Sequence, residues 1–160
     1  MSSATDYRQY QDPDVIQRAL ARPRIAVVGM SSNELRPSHF VGYYLQLHNY
    51  DVVPVNPRED EILGLKCYPS VADIPEPVDV VDVFRDPSAV PEIAEETVAS
   101  GAKFMWLQFG VISDEGIAIA TEGGVECIVD KCIKIEHARY KGRMHWLGFN
   151  TEQVSAKRRR

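Results

Sequence analysis

The side chains best suited to chemistry in this sequence are suited to holding an anion rather than to breaking a bond. Gly29-Met30-Ser31-Ser32-Asn33 is a glycine turn followed by hydroxyls, and it runs on into Arg36-Pro37-Ser38. Where such a turn leads into a helix, its backbone N–H groups and the helix N-terminus offer a phosphate site. It has one glycine against the three of the dinucleotide pattern G-x-G-x-x-G, so a phosphate cradle and a purely structural turn stand level. Val55-Asn56-Pro57-Arg58 falls where an NAD-binding fold places an Asp or Glu on the ribose hydroxyls. Asn56 and Arg58 instead suit a ribose that carries a phosphate, because a guanidinium presents a rigid fork of donors. Taken alone, Arg58 reads as a solvated member of a charged loop. In Phe84-Arg85-Asp86-Pro87, Arg85 either pairs with Asp82 or Asp86 or faces a ligand, and Phe84 either covers an adenine or completes the core.

Bond-breaking chemistry has less support. Cys67, Cys127 and Cys132 cannot all pair within the chain, and no C-x-x-C spacing points to zinc or a dithiol centre. A reducing cytoplasm is the compartment they fit. Cys132 is either a small buried hydrophobe or a thiol near the ligand. No Ser-His-Asp order, metal-ligand spacing or paired carboxylates accompany the four histidines. His39, just after the hydroxyl-rich turn, either donates to a phosphate or serves the helix start.

Two alternating signals position these residues. Continuous β-branched runs at 24–28, 51–55, 78–84, 104–108 and 126–129 read as strands buried on both faces. Between them, 39–48, 90–99 and 114–122 read as helices, the first with Phe40, Tyr43, Tyr44 and Leu47 on one face. A further helix opens at Asp12-Pro13, an N-cap followed by proline at the first helical position. The expected fold is α/β, a single Rossmann-like domain with a doubly wound, parallel, five-stranded sheet. Its expected divisions are an N-terminal helix and tail over 1–23, the body over 24–150, and a basic tail over 151–160. In such sheets ligands bind beyond the carboxyl ends of the strands, where the strand order reverses, and the loops singled out above all follow strands.

Of 160 residues, 44% are hydrophobic, and the formal charge is −5 from 18 basic and 23 acidic side chains. Four of the basic ones are Lys157–Arg160, so residues 1–156 carry −9. A net-anionic body argues against a broad nucleic-acid interface, which needs many phosphate contacts. No signal-peptide order opens the chain and no apolar run reaches membrane-span length. Met144-His145-Trp146-Leu147-Gly148-Phe149 either packs on the body or marks a subunit interface. A small nucleotide with several phosphates is the partner this pattern calls for, and the sequence leaves the oligomeric state open.

Several segments taken in order carry a resemblance: Ala26-Val27-Val28-Gly29-Met30-Ser31, Arg36-Pro37-Ser38, Val53-Pro54-Val55-Asn56-Pro57, Val78 to Arg85, Trp106 to Gly110, and Asp130-Lys131-Cys132 with Glu136-His137. From about Arg24 to about Tyr140 the chain resembles the small stand-alone CoA-binding proteins, which are similar to the N-terminal domain of the succinyl-CoA synthetase α subunit. The resemblance implies coenzyme A or an acyl-CoA as ligand. It assigns Gly29, Met30, Ser31, Ser32 and Asn33 to the phosphate loop with Arg36 nearby, and Val55, Asn56, Pro57 and Arg58 to the adenosine portion. Phe84 and Arg85 flank the third strand end, and Gln108 and Gly110 lie along the pantetheine arm. Cys132 takes the place of a cysteine that follows an asparagine in the synthetases, where Lys131 stands here. The synthetase domain that carries the phosphorylated histidine has no counterpart in the sequence, so binding without catalysis is expected. Two other readings are an NADP-dependent oxidoreductase fragment, and a redox switch in which Cys132 or Cys67 forms a mixed disulfide with CoA.

Overall fold

The computed structural model describes residues 6–142; the apolar segment 144–149 and the basic tail lie outside the described residues. Five parallel strands form one sheet: β1 (Arg24–Val28), β2 (Asp51–Val55), β5 (Val80–Val83), β6 (Phe104–Leu107) and β7 (Glu126–Val129), in the order β2-β1-β5-β6-β7. All are apolar on both faces because helices cover both. Ile25, Val27, Phe104 and Trp106 pack under α1 (Pro13–Leu20), α2 (Pro37–Leu47) and α5 (Ile133–His137). Ala26, Val28, Met105 and Leu107 pack under α3 (Val90–Ser100) and α4 (Asp114–Glu122).

Local chemistry fixes the helix ends. Asp12 caps α1 by accepting from the Asp14 N–H, Ser113 caps α4 through the Gly116 N–H, and Gly101, at φ 83°, ends α3 in the left-handed region that favours glycine. α2 begins at Pro37, two residues before the expected start, with proline at its first position and no side-chain cap.

Three features differ from the sequence reading or go beyond it. β5 and β6 are shorter than the runs that announced them. A hairpin of β3 (Glu61–Ile62) and β4 (Leu65–Lys66) turns through Leu63 and Gly64, at φ 57° and 75°. The third is the orientation of α2, which buries Ser38, Val41, Gly42 and Leu45 and leaves Phe40, Tyr43 and Leu47 exposed. Its cause is Met30, whose thioether end fills the space a Cβ on Gly42 would need, so the helix lies on the sheet by its small-residue side. Among the described residues, no helix is long and apolar enough to cross a membrane.

The chain runs from β1 through α2 to β2 at one edge, then returns past β1 to β5. The order therefore reverses between β1 and β5, and the turn at Gly29 meets the loop at Phe84 there. Asp82 lies on β5 between Val27 and Trp106, fully buried, with neither carboxylate oxygen bonded to a partner. Burial raises its pKa well above the usual carboxylate range.

Candidate functional site

Two adjoining clefts open at the strand-order reversal. The larger, about 540 Å³, runs from Gly29, Ser31 and Arg36 past Ser38, Val41 and Phe84 to Gln108, Phe109, Val111 and Cys132. The smaller, about 160 Å³, lies between Val55, Pro57 and Arg85 on one side and Ser70, Val71, Glu92 and Glu96 on the other. Gly29 and Arg85 meet between them. A Cβ at Gly29 would stand 3.0 Å from Arg85 Cδ and 3.1 Å from the Phe84 carbonyl oxygen, and its φ of 87° excludes ordinary side chains as well.

The turn after β1 is braced from within. The Ser31 N–H donates to Ser38 Oγ, the Asn33 N–H to Ser31 Oγ, and the Leu35 N–H to Asn33 Oδ1, at 2.9–3.0 Å. His39 Nδ1 is 2.9 Å from the Ser31 carbonyl oxygen, a contact that requires the proton on Nδ1. His39 thus serves the loop. Ser32 is not among the residues lining the larger cleft and donates to Glu59 Oε2. Met30 is buried in the core, so only its backbone belongs to the loop.

Two side chains assigned to ligand contact are engaged inside the protein. Asn56 donates through Nδ2 to the Met30 carbonyl and accepts the Arg58 N–H at Oδ1, which ties the loop after β2 to the turn after β1. Gln108 is buried, and its Oε1 accepts the Ile133 N–H at the start of α5. A second link joins the same two loops: Asp130 Oδ1 accepts the Gly110 N–H at 2.9 Å, with Asp130 at φ 62° and Gly110 at φ 75°. The loops after β6 and β7 are therefore fixed to one another, with Phe109 exposed at the rim and Cys132 part-buried in the wall. Cys67 and Cys127 are buried, and burial raises both thiol pKa values, that of Cys127 to about 12. Cys132 is thus the cysteine available to a molecule in the larger cleft.

The arginines divide sharply. Arg8, Arg18, Arg22, Arg24 and Arg139 each have a carboxylate oxygen at 2.6–3.8 Å. Among the described residues these leave three others, Arg36, Arg58 and Arg85, and none of the three makes an ion pair. All three are exposed, Arg36 on the larger cleft, Arg85 on the smaller, and Arg58 beside Pro57 in the loop between β2 and β3. Arg85 pairs neither with Asp82 nor directly with Asp86. Hydrogen bonds from Ser88 hold the Asp86 carboxyl below its usual range, with the Arg85 charge helping. The first turn of α2 contains no acidic residue, whereas α1, α3 and α4 each have one or two. The N-terminus of α2, with no acidic side chain in its first turn, thus stands beside Arg36 on the larger cleft, an end of the helix dipole that favours an anion.

The sequence missed several wall residues. Ser38, Val41, Phe109 and Val111 sit next to recognised positions and were within reach of the same strand-end logic. Ser70, Val71, Glu92 and Glu96 come from a long connection and from the far side of α3, and nothing in their local sequence marks them. Among the described residues, no group of three His, Cys, Asp or Glu side chains is placed to hold a metal.

Comparison with known proteins shows the family. The chain is 40% identical over 125 residues to the uncharacterized protein YneT of Bacillus subtilis, covering 78% of this chain and 90% of that one. It is 36% identical over 110 residues to acetate–CoA ligase [ADP-forming] II of Archaeoglobus fulgidus, where the match takes 67% of this chain but 16% of the ligase. A solved structure of a hypothetical protein from Pyrococcus horikoshii superposes with a TM-score of 0.82 at 37% identity, covering 88% of this chain and all of the other. The model of the CoA binding domain matches residues 23–138, from the residue before β1 through the end of α5, and the chain therefore belongs to that family.

Proposed function

We propose that this protein binds coenzyme A or an acyl-CoA across the carboxyl ends of the sheet, without catalysing a reaction by itself. The observation that carries the reading is the division of the arginines: among the described residues, five have carboxylate partners, and the three that do not stand at or beside the two clefts. The diphosphate lies at the N-terminus of α2, on the backbone of residues 29–33 and beside Arg36. The adenosine end occupies the smaller cleft against Val55 and Pro57, and Arg85 or Arg58 takes the 3′-phosphate as a bidentate partner. The pantetheine arm follows the larger cleft past Phe84 and Phe109, and its thiol or thioester ends near Cys132. Among the described residues, neither a histidine nor a carboxylate lines that cleft to serve Cys132 as a general base. This supports binding over turnover.

Calorimetric titration with CoA, 3′-dephospho-CoA and NADP tests the assignment. CoA is expected to bind tightest, and loss of the 3′-phosphate to weaken binding about 10- to 100-fold, the worth of one charge-assisted contact. Equal binding of all three, or none, overturns it. The mixed-disulfide reading is checked by mass spectrometry of protein purified without reductant, where a CoA adduct is expected on Cys132 and not on buried Cys67.

A further inference from the structure

Two carboxylate side chains line the smaller cleft without a cation bonded to either. Glu92 and Glu96 stand one turn apart on α3, and the cleft they share is otherwise walled by apolar side chains such as Val55, Pro57, Val71 and Ile93. Among the described residues neither glutamate makes an ion pair, and Arg85, on the same cleft, makes none. Glu96 is committed to the fold: it is half-buried, and its Oε1 accepts the Val71 N–H at 3.1 Å. Burial raises its carboxyl pKa and the Glu92 charge adds to the rise, against hydrogen bonds from Val71 and Ala72. The Ser70 hydroxyl is spent as well, donating to Asp73 Oδ2 at 2.7 Å. Glu92 is different. It is exposed, and among the described residues its carboxylate neither pairs with a cation nor accepts a hydrogen bond.

Arg85 and Glu92 give one small cavity a donor and an acceptor of opposite charge. At about 160 Å³ the cavity is below the size that takes a whole drug-sized ligand and suits a single flat ring system. A phosphate suits the Arg85 side, and the glutamates repel it from theirs. The acidic side calls for a neutral group whose faces are apolar and whose edge carries an N–H, because a carboxylate only accepts.

We propose that Glu92 accepts a hydrogen bond from the 6-amino group of adenine and so sets the base specificity of the smaller cleft. This rests on the placement of the adenosine end there. Arg85 and Glu92 then read opposite features of one adenosine 3′-phosphate, the anion and the amine. A base without an N–H at that position leaves the carboxylate facing a group that cannot donate to it, which is how a site built for a donor rejects the analogue that lacks one. Charge alone gives removal of Glu92 the opposite sign. CoA is a polyanion, and taking a negative charge from beside its site strengthens binding through the general field.

The test is calorimetric titration of the full-length protein with CoA and with etheno-CoA, in which a fused ring replaces the 6-amino N–H. The wild type is expected to bind CoA about 10-fold more tightly than the etheno analogue. Glu92→Ala is expected to weaken CoA about 10-fold and to leave the etheno analogue unchanged, so that the preference vanishes. Glu95→Ala removes the same charge from an exposed position on α3 outside the cleft and is expected to leave both affinities as they are. Unchanged or tighter CoA binding by Glu92→Ala overturns the proposal. So does a preference for CoA that survives the substitution, which would assign the discrimination to shape alone. Both results leave CoA binding itself standing, whereas no binding of CoA by the wild type overturns the placement of the adenosine end and the proposal with it. Equal affinity of the wild type for the two ligands is decisive against it even if the variant fails to fold.

Discussion

The two ends of the sheet treat charge in opposite ways. At the amino ends, Arg24 opens β1 with its Nε 3.0 Å from Asp51 at the start of β2, a second contact to Glu76, and Nη1 donating to the Pro77 carbonyl. Asp79, just before β5, accepts the Arg24 N–H and stands 3.8 Å from Arg22, while Arg18 grips Glu126 at the start of β7 through two hydrogen bonds. At the carboxyl ends, Arg36, Arg58 and Arg85 have no such partners, and polar side chains there brace loops rather than neutralise charge. One rim is closed by its own carboxylates; at the other, Arg36, Arg58 and Arg85 make no ion pair among the described residues, although Glu92 and Glu96 line the same cleft as Arg85.

Substitutions that sharpen this contrast differ in size. The largest effect is expected at the junction of the clefts. Gly29→Val introduces a side chain at φ 87° against Arg85 and the Phe84 carbonyl, and is expected to abolish measurable CoA binding by calorimetry while costing about 2 kcal/mol of stability. CoA affinity within 10-fold of wild type in a folded Gly29→Val protein would break the assignment of this turn. Next come Arg36→Gln and Arg85→Gln, each expected to weaken CoA about 10- to 100-fold with the unfolding midpoint in urea unchanged, because neither arginine supports an ion pair.

The opposite rim supplies the control. Arg24→Gln is expected to lower stability by about 1 kcal/mol and leave CoA affinity alone, a modest figure because both carboxylate partners are solvent-exposed. If Arg24→Gln weakened CoA as much as Arg85→Gln did, the distinction between the rims would fail.

Asp82 gives a pH signature that belongs to the core between the rims. Its folded pKa is raised above the unfolded value of 3.8, so the folded state holds the proton more tightly. The stability associated with that proton is complete below about pH 3.8 and is lost as pH rises through the folded pKa. Asp82→Asn removes this dependence. The variant is expected to exceed the wild type by about 1–3 kcal/mol near neutrality, a gap that narrows toward pH 4, as read from urea unfolding at several pH values. A gap independent of pH would show that Asp82 is paired or ionised at all of them.

The fold was legible where pattern and chemistry coincide. Strands such as Arg24–Val28 and Phe104–Leu107 are apolar runs that cannot sit half-exposed, and Asp12-Pro13 is a helix start with a defined bond to make. Periodicity stops short where one side chain decides the packing. The spacing of Phe40, Tyr43 and Leu47 puts them on one helix face, but that this face is the outer one goes with Met30 filling the space above Gly42, which no periodicity count registers. The hairpin at Leu63-Gly64 lacks the Asn-Gly signal that usually announces such a turn. Strand-end logic picked out loops that the structure brings to one end of the sheet, but not which of their side chains turn outward. Asn56 and Gln108 spend their side chains on internal hydrogen bonds, because buried loop backbone must find partners, and Met30 spends its own on the core. The smaller cleft needed the fold itself, since it brings Pro57 and Ser70, from the connection between β2 and β5, against Glu96 on α3.

The placement of the ligand is tested most directly by following backbone amide resonances of the isotopically labelled full-length protein during titration with CoA. Shifts are expected at Gly29–Asn33, Arg36, Arg58, Arg85, Phe109 and Cys132, with little change at Arg18, Arg24, Asp79 and Glu126. Shifts centred on the amino-end rim, or none at saturating CoA, would contradict a site at the carboxyl ends of the strands.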